Sequence, residues 1–491
     1  MLTDWDDFLA IEKEYKLSQL EIEGCNYWQY GRSRLMEYLT TVAINGDKPY
    51  AKSEKALKKQ HLQNAKILVA FLIRSRFSAR RIKKSPCDIL FASAVNRIEY
   101  KGEAYNQFVD PIMDLYDNSV LLEPSYNFRR HSKNIHSKNV IFIDYYEANA
   151  IIAYYLHKFT RDYKEKLNIV KNQLSEPMRK ICDLFRLDSV PEVMYANMVD
   201  CIARRKNYKK FCIKALKCFS PKLIVETCHY SFENLVMNEA AYEMGIQVVE
   251  LQHGGAGKTH CAYNYPNNVF IKQFPTHFFA FSKFWMEKFN LPIADENILS
   301  VGAPYKEMRA TEILNDKKVQ SNDKKIILFL MEGIDSSRQF AETAIRLNEL
   351  IDNNKYQIIL KLHPQDYAAW QDKYSDAANA GLRIVHSNNP DLYELFSEAE
   401  CQVGANNSTT IYEGLNFGLR TFIDSNLAGP EFASLCEEGY AQGFANAHEL
   451  YDKIFNPNES GAHGEFWEKD ALVKTKNALD SILCTYGISP C

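Results

Sequence analysis

Residues 221–251, PKLIVETCHYSFENLVMNEAAYEMGIQVVEL, contain the pattern that decides the fold. The apolar runs 221–226 and 246–251 predict two strands. Residues 231–244 between them predict a helix, which Gly245 is placed to end. Continuous apolar strands that alternate with helices are typical of a parallel sheet covered by helices on both faces. The stretch therefore predicts one β-α-β unit of a doubly wound α/β domain.

The same alternation continues on both sides of this unit. Upstream, short apolar runs at 88–93 and 140–144 predict two more strands. Downstream, a second series of runs begins near Phe278 and contains strands predicted at 325–330, 357–362, 383–385, 401–404 and 420–423. Two series in a chain of 491 residues favour two domains over one. We therefore expect an α/β fold with two Rossmann-like, doubly wound domains that face a cleft.

These patterns divide the chain into four segments. The first has no strand alternation and few glycines, and the last, from Phe466 to Leu483, has helical character. We predict a helical, basic N-terminal extension at residues 1–85 and an acceptor domain at 86–272. A nucleotide-donor domain follows at 273–460, and the C-terminal helix, at 461–491, is expected to cross back over the first domain.

Composition excludes several classes of protein. Lysine and arginine (59) nearly balance aspartate and glutamate (62), which argues against a nucleic-acid partner. None of the twelve cysteines belongs to a C-x-x-C pair, as expected for reduced thiols in a cytosol. The N-terminus is acidic and lacks the pattern of a secretory signal. We therefore expect a cytoplasmic protein.

Residues 51–84 hold most of the basic surplus, with eleven lysines and arginines against one acid, Glu54. The apolar run 67–73 lies inside this basic block. One interpretation is a solvated helical face beside a core helix. The other is peripheral docking on an anionic membrane, to which basic residues on an amphipathic segment are attracted.

In doubly wound sheets, ligands bind outside the carboxyl ends of the strands. His253 lies at the end of the strand predicted at 246–251, where it would face the cleft. Its near-neutral pKa suits a general base that takes a proton from a hydroxyl. The alternative is a structural histidine in an ordinary glycine turn. Residues that could line the same cleft are Gln252, Gly254, Gly255, His260 and Tyr263.

The sequence Lys361-Leu362-His363-Pro364 ends another predicted strand. Lys361 and His363 point the same way, since side chains alternate along a strand. Two donors on one face would suit an anionic phosphate. The alternative is a solvent-facing lysine and a structural histidine.

Small hydroxyl residues follow the strand that ends near Gly404 and lead into a predicted helix. The start of a helix binds phosphate through its amide N–H groups, here helped by Ser408, Thr409 and Thr410. Glu413, one turn later, could accept hydrogen bonds from ribose hydroxyls, although simple N-capping of the helix is the alternative. After the strand 325–330, Glu332 and Gly333 begin either a nucleotide-facing loop or an ordinary strand-to-helix turn.

Common enzyme motifs are absent from the sequence. Gly257-Lys258-Thr259 imitates the end of a Walker A loop, but Gln252 stands where its first glycine should be. G-x-G-x-x-G, H-E-x-x-H and G-x-S-x-G do not occur. The one Asp-x-Asp, at residues 4–6, lies outside both α/β domains. We therefore expect metal-independent chemistry with no cofactor.

In its motifs and in the order in which they occur, the chain resembles GT-B-type glycosyltransferases of bacterial surface-polysaccharide synthesis. The resemblance covers about residues 85–430. A Lys-x-His-Pro strand followed by a Ser/Thr cluster is similar to the nucleotide-phosphate site of CMP-sugar-dependent sialyl and Kdo transferases. A His-Gly loop before Lys-x-His-Pro is also similar to CDP-glycerol glycerophosphotransferases. The motifs that carry the resemblance are 88–91, 252–254, 274–279, 361–364 and 408–413.

The resemblance implies a GT-B-like fold and a residue set for sugar transfer. It makes Lys361, His363, Ser408 and Thr409 the donor phosphate site, Glu413 a ribose contact and His253 the base. One departure is that the acidic base motif of sialyltransferases is not found in the first domain, and Glu332-Gly333 matches it only partly in the second. The base therefore stays open between His253 and an acidic residue.

The implied reaction is an inverting transfer from a nucleotide-sugar, favoured to be a CMP-sugar, to a hydroxyl of a glycan or glycolipid. The glycan would be a capsule, O-antigen or lipooligosaccharide, met at the inner face of the cytoplasmic membrane. A CDP-polyol phosphotransferase, a sugar-nucleotide epimerase and a non-catalytic interaction protein remain alternatives.

Overall fold

A computed structural model describes residues 3–45, 54–77, 82–93, 97–315, 324–332, 337–406, 409–456 and 464–485. Two residues predicted to bind nucleotide, Gly333 and Ser408, lie outside the described residues. So do parts of the basic segment 51–84, including Lys52, Arg80 and Arg81.

The N-terminal part and the first α/β region contain eleven strands and nine helices in the described ranges. The strands are β1 (Glu21–Ile22), β2 (Cys25–Asn26), β3 (Ile89–Ala92), β4 (Ile98–Tyr100), β5 (Glu103–Tyr105), β6 (Ser119–Glu123), β7 (Val140–Phe142), β8 (Leu223–Glu226), β9 (Gln247–Leu251), β10 (His277–Ala280) and β11 (Ile298–Ser300). The helices are α1 (Thr3–Glu14), α2 (Tyr27–Asn45), α3 (Glu54–Phe77), α4 (Asp110–Met113), α5 (Asp144–His157), α6 (Arg161–Phe185), α7 (Glu192–Phe219), α8 (Phe232–Glu243) and α9 (Lys283–Met286).

The second α/β region follows after Ser300. Its strands are β12 (Lys325–Leu330), β13 (Tyr356–Lys361), β14 (Arg383–Val385), β15 (Ala399–Asn406), β16 (Arg420–Ala428) and β17 (Gln442–Phe444). Its helices are α10 (Pro304–Asn315), α11 (Ser337–Leu350), α12 (Gln371–Asn379), α13 (Leu392–Glu398), α14 (Thr409–Asn416), α15 (Pro430–Glu437), α16 (Ala447–Phe455) and α17 (Ala471–Thr485).

Two parallel sheets form the framework of the molecule. Seven strands make the first, in the order β11-β10-β9-β8-β3-β6-β7, and six make the second, in the order β14-β13-β12-β15-β16-β17. Every pairing within them is parallel, and β8, α8 and β9 form the β-α-β unit that the sequence predicts. The predicted α/β fold class, with two Rossmann-like parallel sheets, is confirmed.

The change from one sheet to the other lies later than predicted. We placed the boundary between residues 272 and 273, but β10 pairs with β9 and β11 pairs with β10, so both belong to the first sheet. The loop after β9 returns the chain to the edge of the same sheet. The first sheet therefore extends to Ser300, and the second begins at Lys325.

The N-terminal helices are part of the first domain rather than a separate extension. Trp28 and Leu35 of α2 are buried in the same core as Leu90 of β3 and Leu216 of α7. The apolar side chains of α2 thus pack against α7 within the first domain's core, which corrects the predicted division at residue 85. No described helix combines the length and apolar character needed to cross a membrane.

Helix α17 packs against the first domain at the end of the described chain. Leu479 and Ile482 are buried in a core that includes Ile89 of β3, and the Tyr116 hydroxyl donates to Asp480 over 2.8 Å. Since β12 to β17 come before α17 in the chain, this helix ties the second domain to the first.

A buried arginine connects the N-terminal helices to the loop after β9. Arg32 is 2% exposed, and its guanidinium pairs with both oxygens of Glu12 at 2.6 and 2.7 Å. The same group donates to the backbone carbonyls of Cys261 and Asn264. Arg32 therefore fixes the loop segment 261–264 against α1 and α2.

We expect Arg32→Met to lower the free energy of unfolding by about 3–5 kcal/mol, because it leaves the Glu12 carboxylate buried and unpaired. Arg32→Met/Glu12→Leu removes that charge and should recover part of the loss. Denaturant unfolding of both variants measures the difference. A double variant less stable than Arg32→Met would contradict this explanation.

Candidate functional site

The carboxyl edges of the two sheets meet at the loop after β9. The Gly255 N–H donates to the Thr409 hydroxyl, at the first residue of α14, over 2.8 Å. A Cβ on Gly255 would lie 3.2 Å from the Trp285 ring and 3.3 Å from Thr409 Oγ1. This close approach favours glycine at position 255. The structure thus brings together two segments that the sequence predicts to be functional.

Gln252 sets the path of this loop. Its buried side chain accepts from the Phe281 N–H at 2.7 Å and donates to the Gly254 carbonyl at 2.9 Å. Both ends of the amide therefore bind backbone. We predicted Gln252 to line the cleft, and its side chain also borders a small pocket between Phe108 and Lys306.

His253 belongs to a chain of hydrogen-bonded side chains that we call the His253 relay. Its Nε2 lies 3.2 Å from the Tyr230 hydroxyl, and its Nδ1 lies 3.4 Å from the Tyr263 hydroxyl. Tyr263 in turn donates to Glu250 Oε1 at 2.9 Å, and Glu250 Oε2 lies 2.5 Å from His229 Nδ1. Five side chains are linked in one sequence from the cleft into the core.

The charges of these groups decide how the hydrogen bonds run. Burial alone would raise the pKa of Glu250, but its electrostatic and hydrogen-bond interactions with His229 outweigh burial and lower this pKa. An ionised carboxylate only accepts, so Tyr263 donates to Glu250 and accepts from His253 Nδ1–H. The lone pair of His253 is then on Nε2, on the side of Tyr230.

Burial lowers the pKa of His253, with the charge of Glu250 opposing the shift and His229 adding to it. The imidazole is therefore neutral near pH 7 and able to accept a proton. His229 and Glu250 are fully buried, whereas His253 is only half-buried. The relay thus leads from the enclosed, hydrogen-bonded pair of His229 and Glu250 to a basic nitrogen at the cleft.

The local sequence explains why these groups meet. Glu226 of β8 lies beside Glu250 of β9 in the parallel register, so the residues after β8 lie next to the carboxyl end of β9. Cys228 has a positive φ of 61°, and Ser231 caps α8 by accepting from the Asn234 N–H. This tight turn carries His229 and Tyr230 towards β9.

Sequence reasoning missed His229, Tyr230 and Glu250. We applied the strand-end rule to β9 but not to β8, whose end is followed directly by Thr227-Cys228-His229-Tyr230. The acid in the apolar run 246–251 was a second signal, because a buried carboxylate requires a partner.

Of the predicted cleft residues His260 and Tyr263, Tyr263 is buried beneath the site and His260 is half-buried beside it. Tyr263 is 2% exposed, and the His260 ring packs 4.9 Å from it, measured between ring centroids. Burial, with the charges of His253 and His229, lowers the pKa of His260 to about 4. His260 is therefore neutral and serves as part of the aromatic packing around the relay.

In the second domain, Thr409 and Thr410 are the first two residues of α14. Glu413 on the same helix is paired with Lys306 Nζ at 2.6 Å and accepts from the Tyr393 hydroxyl at 2.6 Å. Both carboxylate oxygens of this predicted ribose contact are thus engaged by protein groups. Lys306 also borders the pocket beside Gln252.

Lys361 ends β13 and is 8% exposed. Its ammonium donates to the Tyr367 hydroxyl at 3.0 Å and to the Ser387 carbonyl. Burial lowers the pKa of Lys361 to about 8, although the charge of Asp391 opposes the shift. The structure therefore gives Lys361 a role in holding the loop after β14.

His363 follows two residues later, as the N-cap of the 3₁₀ helix Pro364–Ala369, where its Nδ1 accepts from the Gln365 N–H at 3.3 Å. Burial lowers its pKa. β12 separates β13, which Lys361 ends, from β15, which leads to Thr409, so these two strands lie two strand spacings or about 10 Å apart. Glu332 follows β12 at this edge.

Among the residues that the structure describes, no group of three or more His, Cys, Asp or Glu side chains could hold a metal ion. No protein-family model matches the chain. No curated protein matches its sequence.

Several solved structures are similar in fold. A UDP-N-acetylglucosamine 2-epimerase is 10% identical, with a TM-score of 0.46, over 83% of this chain and 99% of its own. The UDP-GlcNAc 2-epimerase of Methanocaldococcus jannaschii is 12% identical, with a TM-score of 0.46, over 82% and 100%. The lipopolysaccharide outer core galactosyltransferase WaaB, in its apo form, is 12% identical, with a TM-score of 0.43, over 80% and 99%. Similarity of this degree does not extend to substrate or reaction.

Proposed function

We propose that the protein is an inverting, metal-independent glycosyltransferase. It would move a sugar from a nucleotide-activated donor, favoured to be a CMP-sugar, to a hydroxyl of a growing surface glycan such as capsule, O-antigen or lipooligosaccharide. The observation that carries this proposal is the His253 relay, which ends in a basic nitrogen opposite the start of α14.

In this mechanism the acceptor hydroxyl takes the place of the Tyr230 hydroxyl at His253 Nε2. His253 removes the proton as the acceptor oxygen attacks the anomeric carbon of the donor. The bond between that carbon and the phosphate oxygen breaks, and its electron pair leaves with the nucleotide. The positive charge on His253 is stabilised by the Glu250 carboxylate through Tyr263.

The donor phosphate would bind at the carboxyl edge of the second sheet. The amide N–H groups at the start of α14 favour an anion there, and the hydroxyls of Thr409 and Thr410 would add hydrogen bonds. Lys361, His363 and Ser408 complete the proposed phosphate site, and Glu413, Glu332 and Gly333 the nucleoside side. The hydrogen-bond donors of the proposed phosphate site stabilise the leaving phosphate in place of a metal ion.

We expect the acceptor to be a glycan or glycolipid. The proposed place of action is the cytoplasmic face of the membrane, with the protein bound peripherally through the basic N-terminal segment 51–84. Two other reactions would use a nucleotide-bound substrate: polyol-phosphate transfer from a CDP-polyol, and epimerisation of a sugar nucleotide.

A thermal-shift screen with CMP, CDP, UDP, GDP and their sugars tests the proposed donor. A ligand at about a hundredfold its Kd stabilises the native state by about 2.7 kcal/mol, so CMP or a CMP-sugar should raise the melting temperature. CMP release from CDP-glycerol would instead indicate a phosphotransferase, and conversion of a nucleotide sugar without acceptor an epimerase. A chain that responds to none of these ligands would refute the proposal.

We expect His253→Ala to reduce transfer by about 10²–10⁴-fold, the usual contribution of a general base, with nucleotide affinity largely unchanged. His448→Ala, on the exposed side of α16, is the matched control and should leave both unchanged. Turnover and nucleotide binding are measured on the same preparations. Equal losses of both in His253→Ala would remove His253 from the role of base.

We expect the affinity for free CMP to fall as pH rises above about 8, the value to which burial lowers the pKa of Lys361. Below that pH the ammonium is charged and attracts phosphate, and above it the charge is lost. Lys361→Arg should bind without this decline, because an arginine side chain stays protonated throughout this pH range.

Calorimetric titration between about pH 7 and 9.5 measures the effect, with Lys361→Met as the uncharged reference. Lys361→Met should bind weakly with little pH dependence. If it shows the same decline as the natural chain, the titrating group is not Lys361.

A further inference from the structure

Helix α3 presents an apolar stripe to solvent. Val69, Ile73 and Phe77 are 54%, 57% and 88% exposed. They follow each other at intervals of four residues, so they lie on one face of the helix. The opposite face is buried, with Phe71 packed against α5 in a core that contains Ala148 and Ile151. We call the three exposed residues the α3 stripe.

A basic loop lies beside the end of the α3 stripe. This loop, residues 126–133, exposes Tyr126 together with Arg129, Arg130 and Lys133. The sequence contains no aspartate or glutamate from residue 124 to 143. Likewise, no acid occurs from residue 55 to 87, so two acid-free segments meet here.

Specific contacts hold the two segments together. Arg74 of α3 donates to the carbonyls of Phe128 and Arg129 at 3.3 and 2.8 Å, and the Phe71 and Phe128 rings are 5.0 Å apart. Asp144, at the start of α5, lies 2.6 Å from His131 Nε2 and 3.7 Å from the Arg74 guanidinium. These contacts fix the loop against α3 through the buried Phe71 and through Arg74, which follows Ile73 in the chain. The α3 stripe and the loop thus expose apolar and basic side chains on the same part of the first domain.

This surface combines what an anionic bilayer interface attracts. Exposed aliphatic and aromatic side chains insert at the level of the headgroups, and basic side chains around them pair with lipid phosphates. On α3 itself, Lys66 and Arg76 are exposed beside the stripe. The loop adds three more exposed cations, Arg129, Arg130 and Lys133, near the end of α3.

We propose that the α3 stripe and loop 126–133 together bind an anionic lipid bilayer. The loop follows β6, whose carboxyl end lies at the same sheet edge as His253. Bound in this way, the first domain would bring its acceptor side close to lipid-linked glycans. This role in bringing the site to lipid-linked glycans rests on the proposed function, whereas binding to the bilayer does not require the reaction.

Sedimentation of the full chain with vesicles tests the surface. We compare phosphatidylcholine vesicles with vesicles that also contain about 30% phosphatidylglycerol, and we expect binding to the anionic vesicles that weakens at high salt. Two variants probe the two halves of the surface: Ile73→Glu/Phe77→Glu and Arg129→Glu/Arg130→Glu. Each should reduce the vesicle-bound fraction at least about tenfold.

Two control variants change exposed residues elsewhere, Val473→Glu on α17 and Arg383→Glu on β14, and both should bind like the natural chain. Melting temperatures identify any variant that is misfolded, and binding is compared only among folded ones. Absence of binding to anionic vesicles, or equal losses in the controls, would overturn the proposal and would indicate an acidic protein as the partner of this face. Since no nucleotide is present, these results do not depend on the proposed reaction.

Discussion

The site depends on one constraint, which is that a carboxylate buried at the end of β9 needs partners. Glu250 is fully buried, and an isolated charge there would be very costly. Its two oxygens are engaged by His229 and Tyr263. These contacts fix the turn after β8 and the loop after β9, and with them the orientation of His253.

The neighbouring carboxyl shows that only one charge is kept at this position. Glu226 lies beside Glu250 in the sheet, and its amide contact is with Asn238 rather than with a cation. Burial raises the pKa of Glu226 well above its ordinary value, and the negative charge of Glu250 raises it further. The surroundings thus favour the neutral form of Glu226 and the ionised form of Glu250 on adjacent strands, and the favoured charge is on the residue connected to His253.

The second requirement is that the loop after β9 keeps its shape over a long connection. Arg32 binds the carbonyls of Cys261 and Asn264, and Asn264 donates to the carbonyls of Gly257 and His260. The N-terminal helices therefore support Tyr263 although they lie far from it in sequence. This explains why they belong to the first domain's core.

Local pattern predicted what depends on short stretches of chain: the β-α-β unit, the two sheets, and the place of His253 at a strand end. It did not predict His229 or Glu250, because their pairing depends on the register of two strands. The domain boundary was wrong for a similar reason, since only the sheet order shows that β10 and β11 return to the first sheet. The alternation that placed Lys361 and His363 on one face could not reveal their partners, which come from the following loops.

Parallel topology places the His253 relay and the basic loop 126–133 at the same edge of the first sheet. In a parallel sheet, every strand ends at the same edge, so the segments after β6, β8 and β9 gather there although more than 100 residues separate the first from the last. The segment after β6 is basic and exposed, whereas those after β8 and β9 enclose a carboxylate. The exposed cations follow β6 and the relay follows β9, and β3 and β8 lie between these two strands. In the proposed reaction, an acceptor held by lipid near β6 would reach His253 along this single edge of the sheet.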